Sequence, residues 1–276
     1  YYRRIRNTFR FLLGILDMEN QFKKIDYSEI FEIDSFILAR IYELEEIRLK
    51  SLKFHNYHLF YKALFEFCTV DLSSFYFDIS KDILYCNALK DKKRIARIKT
   101  LSLVYDVLIS WYSPILCHTT EEAWQLLKTE DLESIHLKIG NNINKDWKNK
   151  SLIERWTKIK KLRKNINTAI EIVRNEKKIG SSLEAVIFLK THDSEDRKII
   201  KEIDMSEVCL ISECKIIDQN DTFPKNFITN YVNENDCIEI SVYKTASNKC
   251  LRCWQYKNDV SPDLELCDRC INTIKV

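Results

Sequence analysis

Residues 249–270 read KCLRCWQYKNDVSPDLELCDRC, and the four cysteines in that stretch decide how the end of the chain folds. Cys250, Cys253, Cys267 and Cys270 stand in the order C-x2-C-x13-C-x2-C. Each C-x-x-C turn aims two sulfurs at one point, and two such turns complete a tetrahedral shell for Zn2+. Four sulfur ligands leave no open position for water or substrate, so the expected metal is one structural zinc ion rather than a catalytic one. So short a tail carries little apolar material of its own, and its folding is expected to depend on the metal. A redox C-x-x-C pair and chance are the alternatives, and two pairs at this spacing argue against both. Trp254 follows the first pair directly, with Arg252 and Lys257 nearby. Two readings of the indole stand: stacking on an unpaired base, or packing over the knuckle.

Working back from the knuckle, LEAVIFL, VCLISECKI and DCIEISVY are strand-like, with a helix expected near 193–203 between the first two. A long helix is expected over 152–178, with Ile153, Trp156, Ile159, Leu162, Ile166, Ile170 and Val173 inward and Gly180 as its stop. The expected domain is 151–246, a basic helix plus a small α+β module, followed by the knuckle at 247–276. Residues 138–150 are polar and asparagine-rich, which reads as a linker. Residues 1–137 read as an antiparallel bundle of about four to six helices. Tyr2, Ile5, Phe9, Leu13 and Leu16 form one stripe, with Arg3, Arg6 and Arg10 beside it. Those three guanidiniums repel one another unless an anion lies alongside, either a phosphate or the acidic segment 26–46. Thr69 or Asp71 is placed to cap a new turn, residues 91–112 form an amphipathic helix ended by Pro114, and another helix begins near Thr119 or Thr120. His55 and His58 lie one turn apart, but no carboxylate or cysteine is placed to complete a metal site with them.

Composition excludes several function classes. The chain has three glycines, Gly14, Gly140 and Gly180, too scattered for a Walker loop or a GxGxxG turn, so a nucleotide cradle is absent. Ten cysteines in a chain of 276 residues with 45% hydrophobic content, and no secretory leader at its start, read as reduced thiols. Cys68, Cys86, Cys117, Cys209, Cys214 and Cys237 are expected to be small core residues. No run of apolar residues is long enough to span a membrane, and a cytoplasmic location is expected. A start in mid-helix without Met suggests a preceding segment. The formal charge is only +3, yet residues 147–178 hold eleven Lys and Arg against three Glu, whereas 26–46 hold seven acids against one Arg. That asymmetry fits a polyanion held on one face, or a set of solvated helix faces.

Five blocks, in order, carry a resemblance. YYRRIRNTFRFLLG (1–14), FHNYHLFYKALFEFCTVDLSSFYFDISKDILYC (54–86), WYSPILCHTTEEAW (111–124), RKNINTAIEIVRNEKKIGSSLEAVIFL (163–189) and the cysteine segment together resemble the C-terminal half of bacterial-type isoleucyl-tRNA synthetases. The resemblance implies a mainly α chain: a class Ia anticodon-binding helical bundle, a small α+β module and a four-cysteine zinc knuckle. It also implies isoleucine tRNA as partner, and catalytic and editing domains elsewhere in the same polypeptide. ATP would be used only by that catalytic domain. The HIGH and KMSKS signatures of the activation site are absent, so no catalytic residue is expected here. The residues expected to contact RNA are Arg3, Arg6, Arg10, Lys161, Arg163, Lys164, Arg174, Arg252 and Trp254. Neither DNA nor membrane is an expected partner. A formamidopyrimidine-type DNA glycosylase also ends in four cysteines, but it needs an initial Pro-Glu, and the prolines here are Pro114, Pro224 and Pro262. A separate non-catalytic zinc-bearing tRNA-binding protein is the other alternative.

Overall fold

The computed structural model describes residues 1–18 and 30–274. Asp26 and Glu29 of the acidic segment lie outside the described residues. The chain divides into two compact units, Tyr1–Ile153 and Glu154–Val276. Among the described residues, no helix is long and apolar enough to cross a membrane.

The first unit is helical. α1 (Tyr2–Met18) buries Ile5, Phe9, Leu12, Ile15 and Leu16. Its stripe is therefore rotated from the expected one, with Tyr2 exposed and Leu13 only half-buried. α2 (Glu32–Lys53) turns through a short corner into α3 (Tyr57–Glu66). From there the backbone stays helical through a π-helical stretch, Phe67–Tyr76, into α4 (Phe77–Cys86). The expected break at Thr69 or Asp71 does not occur. The Thr69 hydroxyl donates back to the Phe65 carbonyl at 2.9 Å, and the Asp71 carboxylate is taken by Arg40 of α2 at 3.3 Å. A hydroxyl bonded to its own preceding turn, and a carboxylate spent on a neighbouring helix, leave nothing to cap a new start.

α5 (Lys92–Tyr112) is capped by Asp91, whose carboxylate accepts from the Arg94 N–H at 3.0 Å. It packs against α1, α2, α4 and α6 (Cys117–Leu126). That central place explains why Val104, Tyr105, Val107, Leu108, Ile109, Trp111 and Tyr112 are all buried, where a single apolar face was expected. α6 starts two residues before Thr119, without a side-chain cap. Glu121 instead holds the segment that follows it, accepting from Ser134 Oγ at 2.7 Å and the Ile135 N–H at 3.2 Å.

Residues 138–150, expected to be a linker, lie on the bundle. Lys138 is buried beside Glu130 (2.9 Å) and Asp106, Asn141 donates to the Asp106 carbonyl at 2.7 Å, and Ile143 is buried. Buried cations need partners, and two carboxylates fix this one.

In the second unit, α7 (Lys150–Asn175, its first turn belonging to the first unit) buries Trp156, Ile159, Leu162, Ile166, Ala169, Ile170 and Val173. Its stop is Lys177 rather than Gly180. Lys177 takes φ 59°, its N–H donates to Arg174 and the Lys178 N–H to Val173, whereas no glycine has positive φ. A left-handed residue with those two bonds closes a helix, and lysine tolerates the place at some cost. The sheet runs β2 (Glu213–Ile216), β1 (Ala185–Thr191), β4 (Ile238–Lys244), β3 (Thr229–Asn233). β1 and β2 are parallel, linked by α8 (Ser194–Glu202) and α9 (Met205–Cys209), and the other pairings are antiparallel. β3 is a polar, half-exposed edge strand that periodicity did not signal.

Candidate metal centre and nucleic-acid interface

The knuckle is built by β5 (Asn248–Lys249) pairing with β6 (Tyr256–Lys257) and by α10 (Asp268–Ile274). The Cys250 N–H donates to Gln255 and the Trp254 N–H to Cys250, which folds the first C-x-x-C into a tight turn. The four sulfurs lie within 4.8 Å of one another, and those of Cys253 and Cys267 are 3.8 Å apart. Four sulfurs at about 2.3 Å from one zinc ion sit roughly 3.8 Å apart, so the residues fit the metal. Cys250, Cys267 and Cys270 are fully buried, and none of the four is in a disulfide. Among the described residues, the other apolar side chains of this small core are Val260 and Leu266, too little apolar surface to hold the tail alone.

Burial raises the Cys253 thiol, pushed up to about 12, and the Cys270 thiol. At Cys250 burial is outweighed by the N–H groups of Cys253, Cys267 and Arg252, which bring the thiol down to about 6. Ligand thiols lose their protons on binding zinc, and a nearby divalent cation favours that loss.

The remaining cysteines divide. Cys68, Cys86 and Cys209 are buried as expected and Cys214 is half-buried. Burial raises Cys68 to about 12 and Cys214 to about 12. Cys117 and Cys237 are exposed, contrary to expectation, because one opens α6 and the other occupies a left-handed turn before β4. His55 and His58 are both exposed, and His55 shares a hydrogen bond with the Tyr57 hydroxyl at 2.9 Å.

The expected RNA contacts separate by what each side chain already holds. Arg6 makes two bonds of 2.9 Å to Glu122 of α6, so its partner is an internal acid, though not one from 26–46. Those bonds raise the Arg6 guanidinium and lower the Glu122 carboxyl. Arg3 and Arg10 are exposed without an ion-pair partner among the described residues. Arg163 donates through Nε to the Val208 carbonyl at 2.9 Å, and Arg174 pairs with Glu171 at 2.5 Å. Arg252 donates to Cys270 Sγ at 3.5 Å. Lys161 lines a cleft with Asp193 and Asp196, whereas Lys164 is exposed without an ion-pair partner among the described residues.

The basic face of α7 is itself partly neutralised. Arg155 pairs with Glu202 at 2.8 Å and Lys158 with Glu195, both acids of α8. Trp254 is 63% exposed, with Lys249 Nζ over its ring at 5.6 Å, so the indole stands on the surface and does not cover the knuckle.

One basic and aromatic surface was not anticipated. Residues 52–59, at the corner between α2 and α3, are all exposed, including Phe54 at 58% and Tyr57 at 47%. Lys53 lies over the Phe54 ring at 5.7 Å. The signal was present in the sequence: from Leu49 to Phe65 there are three lysines and two histidines and no carboxylate.

Comparison with known proteins fits this geometry. Residues 34–189 match the family described as "Anticodon-binding domain of tRNA ligase", and residues 247–273 match "Zinc finger found in FPG and IleRS". The chain is similar to the isoleucine-tRNA ligase of Zymomonas mobilis subsp. mobilis, at 34% identity over 99% of this chain and 28% of the relative. It is similar to that of Pelagibacter ubique at 38% over 92% and 27%, and to that of Caldanaerobacter subterraneus subsp. tengcongensis at 36% over 99% and 30%. The chain thus spans a little over a quarter of the length of these curated relatives. With more than half of its residues matched, the described bundle included from α2 onward, the chain belongs to the family of anticodon-binding domains of tRNA ligases.

Proposed function

We propose that this chain is the tRNA-recognition part of an isoleucine-tRNA ligase and that it carries no step of the aminoacylation itself. The observation that carries the reading is the joint presence, in one chain, of the anticodon-binding bundle and a four-sulfur knuckle of the type found in isoleucyl-tRNA synthetases. The whole enzyme would join isoleucine to its tRNA using ATP, with activation and editing supplied by other domains of the same polypeptide in the cytoplasm. The division into a helical domain 1–137, a basic helix with its α+β module 151–246 and a knuckle 247–276 belongs to the same proposal, with 138–150 packed on the first of them.

Cys250, Cys253, Cys267 and Cys270 would hold one zinc ion, which when bound supplies the cross-link that a tail with so small a core lacks. RNA loops are read by splaying bases onto aromatic and guanidinium planes and by neutralising phosphates. The side chains best placed for that work are those not committed elsewhere. They are Trp254 with Lys249 and Lys257, Arg3 and Arg10 on α1, Lys164 on α7, and the corner formed by Lys50, Lys53, Phe54, Tyr57 and Lys62. Lys161 remains a second contact on α7. Arg6, Arg163, Arg174 and Arg252 would act chiefly in holding the fold.

The test is a gel-shift titration of the chain against isoleucine tRNA and an anticodon variant of it, with zinc content measured on the same sample. Preference for the matched anticodon at one zinc per chain is expected. Equal binding of unrelated tRNAs would overturn the reading.

A further inference from the structure

The two halves of the knuckle repeat one pattern, Cys250-Leu251-Arg252-Cys253 and Cys267-Asp268-Arg269-Cys270. In the fold the two arginines are exchanged. Arg252 Nη1 donates to the sulfur of Cys270 at 3.5 Å, and the Arg269 side chain donates to the sulfur of Cys253. Each guanidinium therefore leaves its own C-x-x-C turn and bonds a sulfur of the other turn. Both arginines are half-buried, as is Cys253, while Cys270 is fully buried. The sulfur of Cys250 is served by the backbone instead, accepting the Cys267 N–H at 3.4 Å.

Charge explains why such a pair would be built. Four thiolates around one divalent ion leave two net negative charges in a space mostly closed to water, and that excess is costly unless it is paired. Two guanidiniums, always charged and rich in donors, match it in number and reach. A lysine in either place would bring the charge but not the several directed donors.

We propose that Arg252 and Arg269 are the charge partners of the metal-thiolate centre, a crossed pair that positions Cys270 and Cys253 and ties the two turns together. Arg252 is by this assignment a positioning residue of the knuckle and not an RNA contact. The inference rests on the reading that the four cysteines hold zinc.

The experiment uses the full chain and its variants Arg252→Gln, Arg269→Gln and Arg252→Lys, all loaded with zinc. Zinc content is measured first, then zinc transfer to a competing chromophoric chelator, alkylation of the cysteines by iodoacetamide, and binding of isoleucine tRNA. Each Gln variant is expected to hold zinc roughly 10–100-fold more weakly. Faster alkylation is expected with it, since the sulfur loses a donor that draws on its lone pair. Arg252→Lys should recover part of the zinc affinity. Zinc-loaded Arg252→Gln should bind tRNA like the parent chain. Zinc held equally well by the parent and both Gln variants would overturn the inference and leave the zinc reading intact. A parent chain that takes up no zinc would overturn both. If one Gln variant fails to fold, the other, with Arg252→Lys, carries the same comparison. Loss of tRNA binding in Arg252→Gln with zinc affinity unchanged would return Arg252 to the RNA surface and overturn the assignment.

Discussion

Arg97 of α5 lies 3.0 Å from the Asp34 carboxylate of α2, and the two side chains are 2% and 0% exposed. Tyr76 closes the group, its hydroxyl donating to Asp34 at 2.5 Å while its ring faces the Arg97 guanidinium at 4.9 Å. Burial raises the Tyr76 phenol well above its ordinary value, so it stays protonated and keeps donating. Three helical segments, α2, the π-helical stretch and α5, are joined at this point.

Removing one partner of such a pair strands the other charge in the core. Asp34→Leu or Arg97→Met alone should cost about 3–5 kcal/mol of stability, whereas the apolar double change should cost much less. Urea unfolding followed by circular dichroism measures both. Additive losses in the double variant would show that the pair is not coupled.

The zinc assignment predicts that two parts of the protein respond differently. Cys267→Ser, or stripping the parent with a chelator, should abolish zinc uptake and disorder the tail, whose core among the described residues adds Val260 and Leu266 to its cysteines. The helical signal of the first unit should persist, because its own core is large. Because ligand thiols must lose protons to bind, zinc should be held more weakly as pH falls. An unchanged metal content in Cys267→Ser would end the assignment.

What the sequence disclosed follows from how local each feature is. The knuckle was legible because a C-x-x-C turn is closed within four residues and needs no distant partner to be recognised. The α5 helix was legible in extent but not in depth: its periodicity suggested one buried face, and only the arrival of α1, α2, α4 and α6 buried the rest. The Asp34–Arg97 pair left no trace, since a lone Asp near a helix start reads as a favourable end charge. The basic face of α7 misled for a related reason. Its lysines and arginines were counted along one helix, while the acids that meet Arg155 and Lys158 arrive later, on α8. Gly180 looked like the helix stop because glycine takes left-handed conformations freely, yet the fold places Lys177 there.

That neutralisation makes a charge test discriminating. Arg10→Glu and Lys164→Glu remove cations that hold no acid among the described residues. Each should weaken tRNA binding and lower the slope of log affinity against log salt by roughly one. Lys158→Glu removes a cation already engaged by Glu195 and should change the slope little. Identical slopes for all three variants would show that these surfaces lie away from the RNA.

Trp254 offers the sharpest separation of RNA binding from folding. It holds a backbone φ of 62°, a region that bulky side chains rarely occupy and that costs of order 1–3 kcal/mol. An indole kept there while 63% exposed contributes little to the packing of the knuckle. Trp254→Ala should therefore weaken tRNA binding by ~1–3 kcal/mol, the value of one base stacked on an aromatic ring. Zinc affinity should be unaltered. Trp254→Gly relieves the backbone strain, so its tail should be at least as stable as the parent's while the loss of RNA affinity remains. Trp254→Phe keeps a ring and should retain most of the binding. Titration of tRNA and of zinc against these three variants measures both quantities. If Trp254→Ala releases zinc and Trp254→Gly does not restore it, the side chain serves the knuckle and the stacking role is wrong.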